Sequence, residues 1–499
     1  MSKPLGRKHR TVAHVMLAAL GIAAWLATAP RAWAQCGNSA IVSLATSLTV
    51  DPPMTAPDGA GGMFVAWADN RAGNFDIYVA RVDGNGCLVA GWPANGVAVC
   101  TAVKDQVNPR IISDNAGGAF VAWEDGRNQT PTHANEVDVF AQHVLASGSL
   151  GWVANGVAVS VIGLNGLVHL SDVEADGTAS AFVTWGDAFG QLDAQKLSPA
   201  TGASVWGQGG VVVSGLQFDD PPLPWSPNRM IVPDGAGGAV VAFASRSNGP
   251  FVQRLAAATG APQWSGPPAL DTEADDVQLA SDGLGAYYVT YAHEVGGSPH
   301  DIELSHFDNT GALTTGWPVV ACGAAGDQRF PQIVPDGFNG VVLAWLDTRF
   351  SGDIHNAAVY ATRIGRNGTR VGSCWAVDGN AVTAGSATGL ELGLTPDGGG
   401  GAGVLWGVNY VLHARQIGGD ASLGSDVSLA TAAGPASATL SGGALSAAWQ
   451  DVRSGFANAI YGAHSTLTPV VPAGLTSLAV AAVGTSGADM TWTVPADDP

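Results

Sequence analysis

Along almost the whole chain, apolar residues alternate with polar ones in short runs, and Gly, Asn and Asp stand where the runs break. A period of two predicts strands, and those three residue types at the breaks predict tight reversals, because they accept the positive φ that such turns need. No segment after the first 34 residues carries a convincing helical period. The second unit of the pattern shows the reading in detail. Residues 108–113 read as a first strand, Asp114 to Gly118 as a turn, 119–123 as a second strand, 137–144 as a third and 156–160 as a fourth.

The unit repeats. A phrase Asp-Gly-x-Gly-Gly, with Asn115 or Asn339 sometimes replacing a glycine, leads through alternating apolar residues to an aromatic. Clear copies run from Asp58 to Trp67, Asp114 to Trp123, Asp234 to Phe243, Asp336 to Trp345 and Asp397 to Trp406, and weaker ones end at Trp185, Tyr291 and Trp449. These eight aromatics stand 43 to 62 residues apart, room for four strands each. Repeated four-stranded antiparallel units of this length predict an all-β fold, an eight-bladed β-propeller. The last unit runs out after its third strand at 459–464, whereas residues 39–46 form a strand with no unit of their own. The N-terminal strand is therefore expected to complete the eighth blade and close the ring.

The units resemble those of a group of exported bacterial β-propeller repeat proteins. Here the resemblance is carried best by Asp58-Gly59 through Trp67-Ala68-Asp69-Asn70-Arg71, then Asp76-Ile77-Tyr78-Val79-Ala80-Arg81-Val82-Asp83, then Gly91-Trp92 and Gly96-Val97-Ala98-Val99. It covers residues 39 to about 466, and implies a propeller in a secreted or surface protein without implying an activity. Units three, four, five and seven lack part or all of the Asp-x-Arg pair that follows the aromatic. After a Pro-rich linker at 467–473, residues 474–499 resemble the opening of a fibronectin type III domain, with Trp492 in the place of that family's buried tryptophan. Only 26 residues remain for a sandwich that needs about 100, so the chain reads as one monomeric propeller domain, 35–466, within a longer product.

Composition adds the compartment. Residues 1–34 combine Lys3, Arg7, Lys8 and Arg10, an apolar run from Val15 to Ala29 and the small-residue site Ala32-Trp33-Ala34, the features of a cleaved signal peptide. The run is too short for a membrane span, and Gln35 before Cys36 argues against a lipid anchor. With 21 basic and 41 acidic side chains the net charge is −20, about −25 after cleavage, which excludes a general nucleic-acid binder. The partner expected is an extracellular polysaccharide or a protein, with no cofactor.

Candidate chemistry is sparse. Asp-x-Arg recurs as Asp69 and Arg71, Asp125 and Arg127, Asp347 and Arg349, and Asp451 and Arg453, after Trp67, Trp123, Trp345 and Trp449. Four copies favour a structural role, each Asp holding its hairpin and its Arg, over a ring of ligands for cations or sugars. The Asp-Gly turns lack the alternating oxygens of a calcium loop and the helix and lysine of a phosphate loop. His293, Glu294 and His300, with Asp301, Glu303 and His306, form the densest set of possible zinc or copper ligands, and His133, Glu136 and Asp138 a weaker one. No Gly-x-Ser-x-Gly or His-Glu-x-x-His occurs, and an acid pair of the glycosidase kind is not testable from spacing. Of five cysteines, Cys36 and Cys87 fall on adjacent blades and are the pair placed to bridge the closure, the alternative being two unpaired thiols. A non-catalytic binding or spacing module is the reading favoured, and a glycan hydrolase with its site at the channel mouth is the alternative.

Overall fold

The computed structural model describes residues 41–45, 51–132, 136–161, 168–187, 190–214, 230–245, 249–264, 274–294, 299–383, 392–409, 411–431, 433–441, 444–451 and 459–466. The signal-like segment, Cys36, His133, Arg453, the linker and the fibronectin-like tail lie outside them, as do the side chains of Trp449 and Asp451.

The described residues form antiparallel sheets whose only helix is a 3-10 turn at Ile354–Asn356. Among the described residues no helix is long and apolar enough to cross a membrane. In the second sheet the strands are Gln106–Ser113, Ala119–Asp125, Asp138–Val144 and Val157–Ala158, each beside the next in chain order. These are the strands the alternation predicts, with ends shifted by a residue or two. The first strands of consecutive sheets pack side by side around the molecule, and Met54–Pro57 of the first sheet meets Ala433–Ser441 of the last. The arrangement is a β-propeller. Seven sheets have four strands, not the eight expected. The sheet built from Ile231–Pro233, Ala239–Ser245 and Gly249–Leu255 has three, and residues 265–273, where a fourth would fall, are not among those described.

Closure follows the sequence argument. Ile41–Ala45 pairs antiparallel with Ala459–Thr466, Ile41 opposite Ala463 and Val42 opposite Gly462, so that the last sheet takes its outer strand from the N-terminus. Unpaired strand edges are thereby removed from both ends of the repeat.

Radial stacking buries both faces of each second strand. Met63–Asp69, Ala119–Asp125 and Val341–Asp347 are buried at every position, which is why their alternation is apolar on both faces rather than apolar against polar. A second set of tryptophans, after the third strand in five of the units, joins neighbouring sheets. The indole N–H of Trp92 donates to the Ala146 carbonyl (3.3 Å), Trp152 to Pro199 (3.0 Å), Trp206 to Ala257 (3.0 Å), Trp264 to Asn309 (3.3 Å) and Trp375 to Gly419 (3.0 Å). Each carbonyl lies in the turn after the third strand of the next unit, so one residue in each of these units supplies both apolar area and a directional bond.

The Asp-Gly turns are equally regular. Asp58 Oδ1 accepts the N–H groups of Ala60 (2.8 Å) and Gly62 (2.7 Å), while Oδ2 meets Arg81 of the third strand at 3.0 Å. Asp114 does the same with Ala116, Gly118 and His143, Asp234 with Ala236, Gly238 and Arg254, and Asp336 with Phe338, Gly340 and Arg363. One oxygen shapes the turn and the other anchors it to the third strand.

Candidate functional site

The Asp-x-Arg residues come together with the core tryptophan. Asp125 ends the second strand fully buried; its Oδ2 accepts the indole N–H of Trp123 (2.7 Å) and Nη2 of Arg127 (2.6 Å), and its Oδ1 accepts the backbone N–H (2.9 Å) and Nε (2.9 Å) of Arg127. Arg127 also donates to the Asn155 carbonyl (2.8 Å) ahead of the fourth strand and lies 3.7 Å over the ring of Phe140 on the third. Asp347 and Arg349 repeat this with Trp345, the Asp378 carbonyl and Tyr360. Asp69 and Arg71 repeat it with Trp67, the Asn95 carbonyl and Tyr78. One ion pair thus ties three strands of a blade. With every acceptor site of the carboxylate taken by the protein, none is left for a ligand.

The fifth unit shows what replaces the pair. His293 stands two residues after Tyr291, where Asp69 follows Trp67, and Glu303 lies opposite Tyr291, where Tyr78 lies opposite Trp67. Glu303 accepts from the Tyr291 hydroxyl (3.0 Å) and lies 3.0 Å from His293 Nδ1, so the carboxylate has moved to the third strand and the base to the second.

This register separates the candidate metal ligands. His293 is opposite Asp301 and Glu294 opposite His300, and successive residues of a strand face opposite sides. His293 therefore pairs with Glu303 on one face, while His300 turns to Asp327 of the next sheet, 2.8 Å from its Nδ1. His306 lies 2.9 Å from the Thr314 hydroxyl, and burial holds its imidazole below the usual range. Among the described residues no three His, Cys, Asp or Glu side chains are grouped to hold a metal. In the weaker set, Glu136 and Asp138 are buried, and Asp138 accepts from Asn128 (2.7 Å).

Cys87 is disulfide-bonded, whereas Cys100, Cys322 and Cys374 are free. Cys100 and Cys322 occupy equivalent places, each accepting from the arginine of an Asp-x-Arg pair (3.1 and 3.2 Å). Burial pushes both thiols up to about 12, so neither is a nucleophile near neutral pH.

A cluster of charges that the sequence does not announce sits where the first strands of the first four sheets adjoin. Arg110 is buried among Asp51, Glu124 and Asp172, and burial lowers its affinity for the proton while the three acids raise it. The first strands of the second and third sheets carry bulges here, between Val107 and Arg110 and between Leu170 and Asp172. A bulge turns backbone N–H groups out of the ladder, and carboxylates from adjoining sheets accept them. Asp51 takes that of Asn108, Glu124 that of Leu170 (3.0 Å), and Asp172 that of Met230 (3.0 Å). Burial and the neighbouring Glu174 raise Asp172 to about 7, despite its backbone bonds, and burial also raises Asp51. A carboxyl able to hold a proton near neutrality beside a buried guanidinium can act in acid–base chemistry or bind a polar ligand. Asp172 escapes sequence reasoning because it belongs to no repeated motif, and its shift comes from burial and from Glu174.

The sign of the pH dependence follows. A carboxyl whose folded pKa exceeds its unfolded value stabilises the fold at low pH and loses that contribution as pH rises through the folded value. Asp172, Asp193 (about 7) and Asp76 (about 6) all act this way, each chiefly through burial. Stability is expected to rise between pH 8 and pH 5. Asp172→Asn should flatten that slope by about one proton in urea titrations across the range, and an unchanged slope would show that Asp172 titrates normally.

No protein-family profile matches the chain, and no curated protein does. Solved structures resemble it distantly. A protein of unknown function from Dyadobacter fermentans is 10% identical at a TM-score of 0.39, covering 86% of this chain and 99% of its own. A eukaryotic initiation factor is 11% identical at 0.43, with 86% and 90% covered, and an oligogalacturonate lyase in complex with manganese is 11% identical at 0.38, with 86% and 91% covered.

Proposed function

We propose that residues 35–466 are a secreted or cell-surface β-propeller that binds or spaces without catalysis, its ligand an extracellular polysaccharide or a protein. One observation carries the reading: where the repeated Asp, Arg and Trp side chains are described, they bond one another and hold blades together, so selection on the motif is selection for a scaffold. The signal-like N-terminus, the acidic charge and the fibronectin-like segment at 474–499 agree with an exported module. A bridge from Cys36 to Cys87 belongs to the same proposal, since it would fasten the strand that closes the ring.

The second reading, a glycan hydrolase at the channel mouth, is favoured by the Asp51, Arg110, Glu124 and Asp172 cluster alone. A polysaccharide panel presented to residues 35–470, with reducing-sugar release followed in the same wells, separates the two. Retention of a glycan without release is expected. Release that Asp172→Asn abolishes would replace the module reading with the hydrolase.

A further inference from the structure

Between the first and second sheets, two buried oxygens have no hydrogen-bond partner, Oδ2 of Asp76 and Oε1 of Gln106. Asp76 is 1% exposed and Gln106 0%. A short chain of contacts joins their head groups along the seam between the two sheets. Gln106 Nε2 donates to the Lys104 carbonyl (2.9 Å), the same carbonyl accepts from Asn74 Nδ2, and that amide donates to Asp76 Oδ1 at 2.9 Å. Asn74 also reaches the Ala102 carbonyl (3.2 Å), and Asp105 holds the Phe75 N–H (2.9 Å).

Beyond those bonds Asp76 and Gln106 present only acceptor oxygens to the space between the sheets. Both Gln106 amide hydrogens are committed to the carbonyls of Lys104 and Val103 (3.3 Å), so its oxygen faces inward with nothing to accept from. Asp69 lies opposite Asp76 in the strand pair, and Asp69 and Asp105 add negative potential at the carboxyl that the Arg71 guanidinium offsets in part. Leaving two such acceptors bare is costly, and a positive occupant repays that cost. We propose that this seam binds one hard divalent cation, calcium, through the carboxylate of Asp76 and the amide oxygen of Gln106, with the carbonyls of Ala102 and Lys104 beside them. Carboxylate, amide and backbone oxygens form the mixed set that calcium accepts in flexible geometry, and no nitrogen or sulfur ligand competes for a softer ion.

The equivalent place between the fifth and sixth sheets marks the limit. Gln328 there also has a bare Oε1, with its Nε2 on the Gly326 carbonyl (2.8 Å). Asp301 takes the place of Asp76 but is partly exposed, with water to serve its oxygens, and Pro299 stands where Asn74 does. One cation per chain is therefore expected.

The test is calorimetric titration and thermal unfolding of the full chain, stripped with chelator and then given calcium chloride at pH 7.5. One binding event and a rise of about 3 °C or more in Tm at millimolar calcium are expected for the wild type, and neither for Asp76→Asn. Gln106→Glu adds a second carboxylate and should bind at least about fivefold more tightly, an effect that keeps the proposal testable if Asp76→Asn folds poorly. Absence of both heat and Tm shift in the wild type would overturn it, as would an equal shift in Asp76→Asn, which would place the ion elsewhere on the acidic surface. Asp76→Asn as stable without calcium as the wild type is with it would also overturn it, since a proton shared between Asp76 and Gln106 would then account for the two oxygens.

Discussion

Asp125→Ala is expected to lower the stability of the propeller by roughly 3 kcal/mol, the cost of removing one partner of a buried pair. The change strands three donors at once: the Trp123 indole, the Arg127 backbone N–H and the Arg127 guanidinium. The isosteric Asp125→Asn should cost nearly as much. Each carboxylate oxygen accepts from two donors, so whichever one becomes an NH2 group faces two N–H groups. Asp347→Asn should behave alike, because Asp347 has the same partners. Urea unfolding measures the loss, and Asp125→Ala with Arg127→Ala should lose less than the sum of the single changes. Were these acids cation or sugar ligands, neutralising them would leave stability unchanged or raise it by relieving repulsion.

Gly156→Ala is the second large effect. Gly156 has φ +77°, and a Cβ there would sit 2.4 Å from the Trp123 ring and 2.6 Å from the Ala141 carbonyl oxygen. The left-handed backbone costs about 1–2 kcal/mol for a residue with a Cβ, and forcing an atom into a packed core costs about 1–3 kcal/mol more. A loss of roughly 3 kcal/mol in urea unfolding is expected. Gly177 is the control: its φ is +78° but no atom lies within 4 Å of the added Cβ, so Gly177→Ala should lose only the backbone share. Equal losses at the two glycines would show that the tryptophan does not press on the fourth strand.

These two residues mark what the sequence makes legible. Local rules act within a hairpin, so the strands of the second unit, the Asp114 turn and the structural character of Asp125 can be read from alternation and repetition. The ring closure is legible for the same reason, as a unit short of one strand at one end and a spare strand at the other. What escapes depends on contacts far apart in the chain. The reach of Arg127 to the Asn155 carbonyl spans 28 residues, and that of Trp92 to Ala146 spans 54. His293 and Glu303 look like metal ligands in a row, but the register that sends His300 to the other face is set by the hairpin and not by composition. Asp172 looks like any surface acid until four sheets enclose it.

The repeated tryptophan, aspartate and arginine set thus serves as internal scaffold. Hydrogen exchange of the indole N–H protons of Trp67, Trp123 and Trp345, followed by NMR on protein labelled at tryptophan, tests it most directly. The account predicts that all three exchange only through global opening of the fold, over hours or longer, with or without added glycan or calcium. Exchange within minutes, or protection that appears only when a ligand is added, would contradict it.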